Sequence, residues 1–259
     1  MVAAVKYVVV ANHRQSKTEK ILTGSNSHTC HSDMSAIQLT AAQLEALKAA
    51  AVHPPPPGFQ QQHAEVLQRI TDAPVAIQFY PERILGKMIN DSHYRNAFET
   101  GSSTGSSSLK SRKEWEDTLF GGSYATATAG ERVKYGYLAG FSSVRLTYGD
   151  SLLVLKEHVK NRCTVTVGDS SNPTSKPYLL SDPISLLHDS KCTYNSKGWS
   201  FAWGYDTYLE AQVHGSIHLS SDVEKLVLDE KYSCNKQIIA YAKAFTKKHS
   251  CPVEFARIR

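Results

Sequence analysis

The polar side chains of one short segment near the C-terminal end of the chain have the types and the spacing for chemistry. Residues 207–213, Thr-Tyr-Leu-Glu-Ala-Gln-Val, alternate between polar and apolar and predict a strand. Successive side chains of a strand point to opposite faces, so Tyr208, Glu210 and Gln212 share one face. A carboxylate fixed in mid-strand can stabilise positive charge that develops in a transition state. The alternative is a solvated face of an antiparallel sheet.

Composition limits the classes of protein that this chain can represent. The 259 residues are 41% hydrophobic and 20% charged, which is typical of a soluble globular protein. The net charge of +5 is mild, and no lysine-arginine run predicts a nucleic-acid site. No apolar run approaches the roughly 20 residues that span a bilayer, and the first ten residues do not match a secretory signal peptide. We therefore expect neither a nucleic-acid partner nor a membrane span.

The five cysteines, at positions 30, 163, 192, 234 and 251, are scattered and odd in number. No Cys-x-x-Cys pair occurs, so the sequence favours a reducing working compartment without disulfides. His28, Cys30 and His31 lie close together, but no second Cys/His pair follows at zinc-finger spacing. We expect no metal site.

The pattern divides the chain into an N-terminal arm over residues 1–58 and a main domain over residues 59–259. Residues 1–35 are mostly polar and predict a weakly structured leader. Thr40 is the predicted N-cap of a helix, with Gln43 at the capping-box position and with Leu44, Leu47 and Ala51 at helical spacing. The four prolines at 54–57 then predict a stiff linker that holds this helix away from the main domain, or only loosely against it.

The main domain shows helical periodicity early and strand periodicity late, which predicts an α+β fold. The early part contains a helix over 60–71, a strand over 74–80 and a helix that begins at Pro81. Strands are predicted over 144–148, 151–155, 163–167, 199–203, 207–213 and 253–257, with a short helix over 183–188. Residues 222–228 fit either a helix or a strand, and 235–248 form an amphipathic helix.

Arg83 and a loop rich in small hydroxyl residues are the candidate binding groups of the early part. Arg83 follows the strand 74–80 on the first turn of the next helix, where a guanidinium can meet phosphate oxygens. The loop at 98–108 offers Thr100, Gly101, Ser102 and Ser103 to a polar ligand. The alternatives are a solvated arginine and a flexible surface loop. The G-x-S-x-G match at 101–105 lacks the buried strand of a hydrolase elbow, and no phosphate-binding loop or G-x-G-x-x-G is present.

Six short blocks, at 79–83, 98–102, 120–124, 148–150, 168–170 and 209–215, resemble in their order a bacterial family of ADP-ribosyltransferase effectors that was long of unknown function. The resemblance covers about residues 65–257. It implies an ADP-ribosyltransferase-like split β-sheet that binds NAD, as substrate, in a cleft. It also implies catalytic roles for Glu210 and Arg83, with Gln212 where arginine-specific relatives have a second glutamate. That difference fits an acceptor other than arginine.

The resemblance further assigns NAD contacts to Arg83, Thr100, Gly101, Ser102 and Ser103. Phe79, Tyr80 or Tyr148 would stack on nicotinamide. The hydroxyl of the central strand would come from Ser102 or Ser103, or from Ser170.

The activity that the resemblance implies is transfer of ADP-ribose to a protein hydroxyl, namely a threonine of host ubiquitin, which would block ubiquitination. A monomer delivered into the host cytosol by type III secretion is expected. Two alternatives use the same residues differently: an NAD glycohydrolase with water as acceptor, and a non-catalytic domain that binds a host protein.

Overall fold

The computed structural model describes residues 38–51, 64–102, 108–140, 148–189, 192–195, 198–201 and 208–258. Residues Ile37–Arg259 form one compact unit. The described residues contain six α-helices, which are Ala41–Ala50 (α1), Ala64–Asp72 (α2), Pro81–Met88 (α3), Ala97–Thr100 (α4), Leu109–Leu119 (α5) and Lys236–His249 (α6). Five of them precede residue 120, so the predicted α+β class with helices mainly in the N-terminal half is confirmed.

The strands of the described residues form one eight-stranded sheet and two small ladders. They are Val75–Phe79 (β1), His93–Tyr94 (β2), Lys134–Leu138 (β3), Ser151–Leu155 (β4), Cys163–Val167 (β5), Tyr178–Leu179 (β6), Cys192–Asn195 (β7), Gly198–Phe201 (β8), Leu209–Val213 (β9), Ile217–His218 (β10), Val223–Asp229 (β11) and Val253–Ala256 (β12). The large sheet has the order β12-β11-β4-β1-β3-β9-β5-β6. Only β11 and β12 pair in parallel, so the sheet is mixed.

The hydrophobic core lies on one face of the large sheet. Alternate residues of β1 and β9 face it, among them Ile77, Phe79, Leu209, Ala211 and Val213. Helices α2, α3 and α6 cover this face with apolar side chains that are fully or almost fully buried, namely Ile70, Leu85, Met88, Ile238, Ala242 and Phe245. The period-two pattern of a strand therefore sends the intervening polar residues of β1 and β9 to the opposite face.

The large sheet opens between β1 and β3. These two strands pair only at Val75↔Leu138 and Ala76↔Tyr137. Beyond that point the rest of β1 pairs with β4 alone, and the start of β3 pairs with β9 alone. A Cβ atom on Gly136 would lie 2.5 Å from the Ala76 carbonyl oxygen, so only glycine permits the close approach where the strands diverge.

Most predicted elements that fall in the described residues are confirmed. Pro81 occupies the first turn of α3, and residues 183–188 form a short 3₁₀ helix. Residues 223–229, which fitted either structure, form strand β11, and β12 is an edge strand as predicted. The leader at 1–35, the proline run, Ser103 and most of the predicted strand 144–148 lie outside the described residues.

The expectation that α1 lies away from the main domain, or only loosely against it, is wrong. The helix has the predicted capping box of Thr40 and Gln43, but Gln43 also donates from Nε2 to the Glu131 carbonyl oxygen at 2.7 Å. Ala46 is fully buried in a small cluster with side chains of α5 and β3. Leu44, predicted on the packed side, is 45% exposed, because the helix uses its alanine face for close approach.

Two elements that position the site were not predicted. The sequence pattern did not predict strand β3, because Lys134 and Gly136 interrupt its alternation of polar and apolar residues. Helix α4 occupies the start of the predicted loop, where Asn96 caps it, Glu99 completes a capping box and Gly101 ends it in the left-handed conformation, with φ 66°. Both elements line the opening between β1 and β3.

Candidate functional site

A cavity of about 920 Å³ lies at the place where β1 and β3 separate. Its floor is the polar face of the sheet, and its walls come from α3, α4, α5 and the loop after β5. The volume lies in the range of small-molecule and cofactor sites. The polar floor residues are Gln78, Tyr135, Tyr137, Tyr208 and Glu210.

Glu210 lies in the floor of this cavity, 9% exposed, in the middle of β9. Its Oε1 accepts from the Ser170 backbone N–H at 3.3 Å and from Gln212 Nε2 at 3.1 Å. Its Oε2 accepts from the Tyr208 hydroxyl at 3.3 Å. No cation of the described residues forms an ion pair with it. Burial, helped by the nearby Asp169 carboxylate, raises the pKa of Glu210 to about 7.

A chain of buried hydrogen bonds fixes the amide that supports Glu210. Gln212 is fully buried behind the cavity, and its Oε1 accepts from the Thr164 hydroxyl at 2.9 Å. Since Thr164 uses its proton there, it accepts from Nε2 of His214 at 3.1 Å. The Tyr124 hydroxyl then donates to Nδ1 of His214 at 2.7 Å. Because each donor in this chain fixes the next, the Gln212 side-chain oxygen faces Thr164 and its nitrogen donates to Glu210.

The same chain requires a neutral imidazole. Burial, with the charges of Arg162 and Lys134, lowers the pKa of His214 to about 3, so the ring is uncharged at neutral pH. Gln212, predicted as a catalytic residue, donates to Glu210 but does not line the cavity.

The loop after β5 supplies the neighbours of Glu210 from another part of the chain. Pairing of β5 with β9 places Thr166 opposite Glu210, and the loop that follows brings Asp169 and Ser170 to the cavity. Ser170 is 8% exposed and hydrogen bonds to Glu210. Of the two described candidates for the central hydroxyl, Ser170 is therefore the one beside the carboxylate, whereas Ser102 lines another wall.

Arg83 lines the cavity from the first turn of α3. Its side chain is exposed, and its guanidinium carbon lies 4.8 Å from the centre of the Tyr80 ring. The preceding residue, Glu82, accepts from the Tyr232 hydroxyl at 2.8 Å and so anchors this turn. The predicted ligand contact of Phe79 is wrong, because its side chain is fully buried in the core on the other face of the sheet. Tyr148, 40% exposed, lies at the cavity instead.

Helix α4 places part of the predicted hydroxyl cluster at the cavity. Thr100 and Ser102 line it, and Gly101 between them forms the left-handed turn that ends the helix. The Thr100 hydroxyl donates to the Asn96 carbonyl oxygen at 3.1 Å, so it is partly engaged in the helix end. Ser103 lies outside the described residues.

Helix α5 lines the cavity with Arg112 and Trp115 and carries the buried Glu116, none of which the sequence analysis singled out. Glu116 is fully buried and accepts from Arg132 at 2.8 Å and from the Tyr135 hydroxyl at 3.1 Å. The Arg112 guanidinium lies 5.1 Å above the Tyr135 ring. Burial raises the pKa of Glu116, and the Arg132 guanidinium opposes that rise. The helical spacing of Arg112 and Glu116 was a usable signal, but their partners, Tyr135 on β3 and Arg132 just before it, could not be read from the sequence.

Gln78 projects from β1 on the polar face beside Tyr137. Both polar atoms of its side chain are buried without a hydrogen bond of normal geometry to the described residues, although the Tyr137 hydroxyl lies close by. An unsatisfied buried amide is uncommon in folded proteins and costs stability. Gln78 is therefore a poorly satisfied polar group of the cavity floor.

A smaller cavity of about 180 Å³ adjoins the first. Trp115, Ser170 and Ser171 line both cavities. The other residues around the smaller cavity are Thr118, Leu119, Asn172, Pro173 and Ser175.

The described residues contain no group of three or more His, Cys, Asp or Glu side chains that could hold a metal ion. The described helices are all too short or too polar to cross a membrane. Among the described residues, Cys163, Cys192, Cys234 and Cys251 form no disulfide bond with one another.

Comparison with known proteins gives two similarities, neither of which states an activity. The model of a family described as "Protein of unknown function (DUF3626)" matches residues 74–187, which include β1, α3 and β5 but end before Glu210. A protein of Mycobacterium phage L5, described as "Gene 2 protein", is 27% identical over 165 residues. That match covers 56% of this chain and 61% of the phage protein, so it spans less than two thirds of its relative.

Proposed function

We propose that this protein is a mono-ADP-ribosyltransferase that cleaves NAD and transfers ADP-ribose to a side-chain hydroxyl of another protein. The observation that supports this proposal most is the carboxylate of Glu210. It lies in the floor of a large cavity, hydrogen bonded on both oxygens, without a cation of the described residues to neutralise it. A negative charge held in this way favours a ligand that carries or develops positive charge.

The reaction breaks the bond between the ribose C1′ and the nicotinamide nitrogen, and the electron pair leaves with nicotinamide. The ribose acquires oxocarbenium character, as in glycoside hydrolysis. Glu210 stabilises that charge and accepts hydrogen bonds from the ribose hydroxyls. The acceptor oxygen then bonds to C1′ and gives its proton to a carboxylate or to water.

The pKa of Glu210, about 7, suits this role. The pyridinium ring of NAD brings a positive charge close to the carboxylate, and an opposite charge nearby lowers the pKa of a carboxyl group. Substrate binding and ionisation of Glu210 therefore support each other at neutral pH.

The cavity also offers groups for the rest of NAD. Arg83 and Lys87 are exposed along α3 and line the same cavity. Guanidinium and ammonium groups both bind diphosphate oxygens, and the guanidinium can do so with two parallel hydrogen bonds. The ring of Tyr148 lies at the cavity, 40% exposed, and would stack on an aromatic base.

The acceptor and the route of delivery rest on the sequence resemblance. It points to a threonine of host ubiquitin as acceptor and to type III secretion into the host cytosol. The neutral Gln212, in place of a second glutamate, accords with an acceptor other than arginine.

The test is the intact mass of ubiquitin after incubation with the protein and NAD, with nicotinamide measured in the same samples. We expect ubiquitin to gain the mass of one ADP-ribose. Nicotinamide release with unmodified ubiquitin would favour a different acceptor or the glycohydrolase. Absence of both products would refute NAD chemistry and favour the non-catalytic binding domain.

A further inference from the structure

Four carboxylate side chains line the large cavity, namely those of Asp91, Glu99, Asp169 and Glu210. The proposed transfer releases one proton from the acceptor hydroxyl, and a carboxylate within reach of that hydroxyl can take it as a general base. No histidine or cysteine is among the described residues that line the cavity. The hydrogen bonds of the four carboxylates therefore indicate which of them is available.

Two of these carboxylates are engaged by other groups of the cavity wall. Asp91 forms an ion pair with Arg95. Glu99 uses both of its oxygens: Oε1 lies 2.9 Å from Nε2 of His93, and Oε2 accepts from the Asn96 N–H at 2.9 Å. Neither side chain can take a proton from a ligand without loss of these contacts.

The other two carboxylates, Glu210 and Asp169, differ in how many of their oxygens are engaged. Glu210 accepts hydrogen bonds on both oxygens and is the group assigned to the sugar. Asp169 accepts on Oδ1 from the Ser171 N–H at 2.8 Å, whereas its Oδ2 has no hydrogen bond or ion pair with the described residues. The half-buried Asp169 side chain is thus held by one oxygen and can accept a proton on the other.

The neighbouring lysine and tyrosine side chains are poorer bases. Burial lowers the pKa of Lys134 to about 8, but its ammonium donates to the carbonyl oxygens of Gly130 at 2.7 Å and of Arg132 at 3.1 Å. Burial raises the pKa values of Tyr135 and Tyr208, so their hydroxyl groups keep their protons at neutral pH.

Asp169 lies close to the carboxylate that stabilises the sugar. The next residue, Ser170, donates its backbone N–H to Glu210 Oε1 at 3.3 Å, and the charge of Asp169 helps to raise the pKa of Glu210. The Ser175 hydroxyl donates to the Asp169 carbonyl oxygen at 2.9 Å and fixes the turn. A hydroxyl that attacks a sugar held by Glu210 therefore comes near Asp169.

We propose that Asp169 is a further catalytic residue, the general base that takes the proton of the acceptor hydroxyl. This inference rests on the proposed function, because it completes the same reaction. The acceptor oxygen bonds to C1′, while the bond between C1′ and the nicotinamide nitrogen breaks and its electron pair leaves with nicotinamide. The acceptor O–H bond breaks with its electron pair left on oxygen, and the proton goes to Asp169 Oδ2 and later to water.

Ethanol, as a small acceptor, tests this role without knowledge of the natural partner. The full-length wild type and Asp169→Asn are incubated with NAD and ethanol, and nicotinamide and ethyl ADP-riboside are measured by mass spectrometry. Asparagine keeps an oxygen for the Ser171 N–H but cannot take a proton. We expect Asp169→Asn to form the ethyl product at least about tenfold more slowly. The control Asp91→Asn, which loses a carboxylate of the same cavity, should keep the wild-type rate.

Chemical rescue separates a base from a residue that only supports the loop. Asp169→Ala removes the carboxylate, and added formate can take its place. Formate should restore formation of ethyl ADP-riboside by this variant in proportion to its concentration, and chloride at the same concentration should not. Formate should leave the rate of the wild type unchanged.

The position of the Asp169 charge can be tested without NAD. The titratable side chains that face Glu210 are Asp169, Tyr208 and Tyr135, of which Asp169 alone contributes a negative charge at neutral pH. Its removal brings the pKa of Glu210 closer to the value in the unfolded chain. Glu210→Gln should therefore stabilise the protein less at pH 8 in the Asp169→Asn background than in the wild type.

The outcomes distinguish this inference from the function on which it rests. Nicotinamide release with equal ethyl transfer by wild type and Asp169→Asn, or without any ethyl product, overturns the role of Asp169 and leaves NAD cleavage intact. Failure of formate to restore transfer by a folded Asp169→Ala, or equal effects of Glu210→Gln in the two backgrounds, also overturns it. Absence of nicotinamide release from the wild type overturns the proposed function and the role of Asp169 together.

Discussion

Replacement of Glu210 by glutamine should stabilise the protein at high pH. Burial raises the pKa of this carboxyl from 4.5 to about 7, so the folded state favours the protonated form more than the unfolded state does. That contribution to stability is fully present below about pH 4.5 and is lost as the pH rises through about 7. At about 1.4 kcal/mol per pH unit, ionisation of this buried carboxyl lowers the free energy of unfolding by about 3 kcal/mol at pH 8.

Glu210→Gln removes this cost and keeps the contacts of the side chain. The amide oxygen can still accept from Ser170 N–H and from Gln212 Nε2, and the new amide nitrogen can donate to the Tyr208 oxygen. We therefore expect the free energy of unfolding of Glu210→Gln to exceed that of the wild type by up to about 3 kcal/mol at pH 8. The two proteins should have similar stability at pH 4, where Glu210 is already protonated.

The assay is urea unfolding of both proteins at intervals from pH 4 to pH 8. Glu116→Gln is the matched control, because Glu116 is buried too but is paired with Arg132 at 2.8 Å. Its loss leaves a buried guanidinium without a countercharge, and this cost offsets the removal of a carboxyl whose pKa burial also raises, so Glu116→Gln should not gain the stability at pH 8 that Glu210→Gln gains. The claim that burial raises the pKa of Glu210 would be refuted by either of two results. One is a difference in the free energy of unfolding between wild type and Glu210→Gln that does not change with pH, and the other is a Glu210→Gln variant that is less stable than the wild type at pH 8.

Three further predictions test other parts of the cavity and the chain. Arg83→Lys should weaken NAD binding, measured by calorimetry, because one ammonium cannot form the two parallel hydrogen bonds of a guanidinium, whereas Lys87→Arg should not weaken it. Equal NAD affinities of Arg83→Lys and the wild type would show that Arg83 is a solvated residue without a role in binding. Gln78→Leu should keep or raise the melting temperature, since it removes an unsatisfied buried amide. Gln212→Leu should lower the melting temperature, because it breaks four hydrogen bonds; a similar drop for both variants would contradict the description of Gln78 as unsatisfied. Removal of residues 1–35 should leave the melting temperature and NAD cleavage unchanged, and a drop in both would show that this segment supports the fold.

The sequence predicted the face of β9 correctly because period two is a local property. Tyr208, Glu210 and Gln212 are buried on one face and the three apolar residues pack in the core on the other. The same reasoning, applied to β1, was sufficient to place Phe79 in the core with Val75 and Ile77. The ligand role assigned to Phe79 considered only the aromatic ring as a stacking partner and ignored that alternation.

The hydrogen-bond partners of Glu210 and the cavity around it could not be predicted from the local sequence pattern. Ser170 reaches it because β5 pairs with β9, 40 residues apart in sequence at this contact. The cavity itself exists because β1 and β3 pair at two positions and then separate, and β3 has too weak a pattern to be recognised. His214 was part of the predicted segment, yet its neutral state depends on burial by Tyr124 and Thr164 from distant elements.

Release of nicotinamide from NAD by the purified protein is the most direct test of the role assigned to Glu210. The comparison is between the wild type and Glu210→Gln, with folding of the variant verified by its unfolding curve. The wild type should release nicotinamide, and the variant should do so at least 100-fold more slowly, the loss that removal of one preorganised electrostatic group typically causes. No release by the wild type, or equal release by the two proteins, would contradict the assignment of this cavity as an NAD-cleaving site.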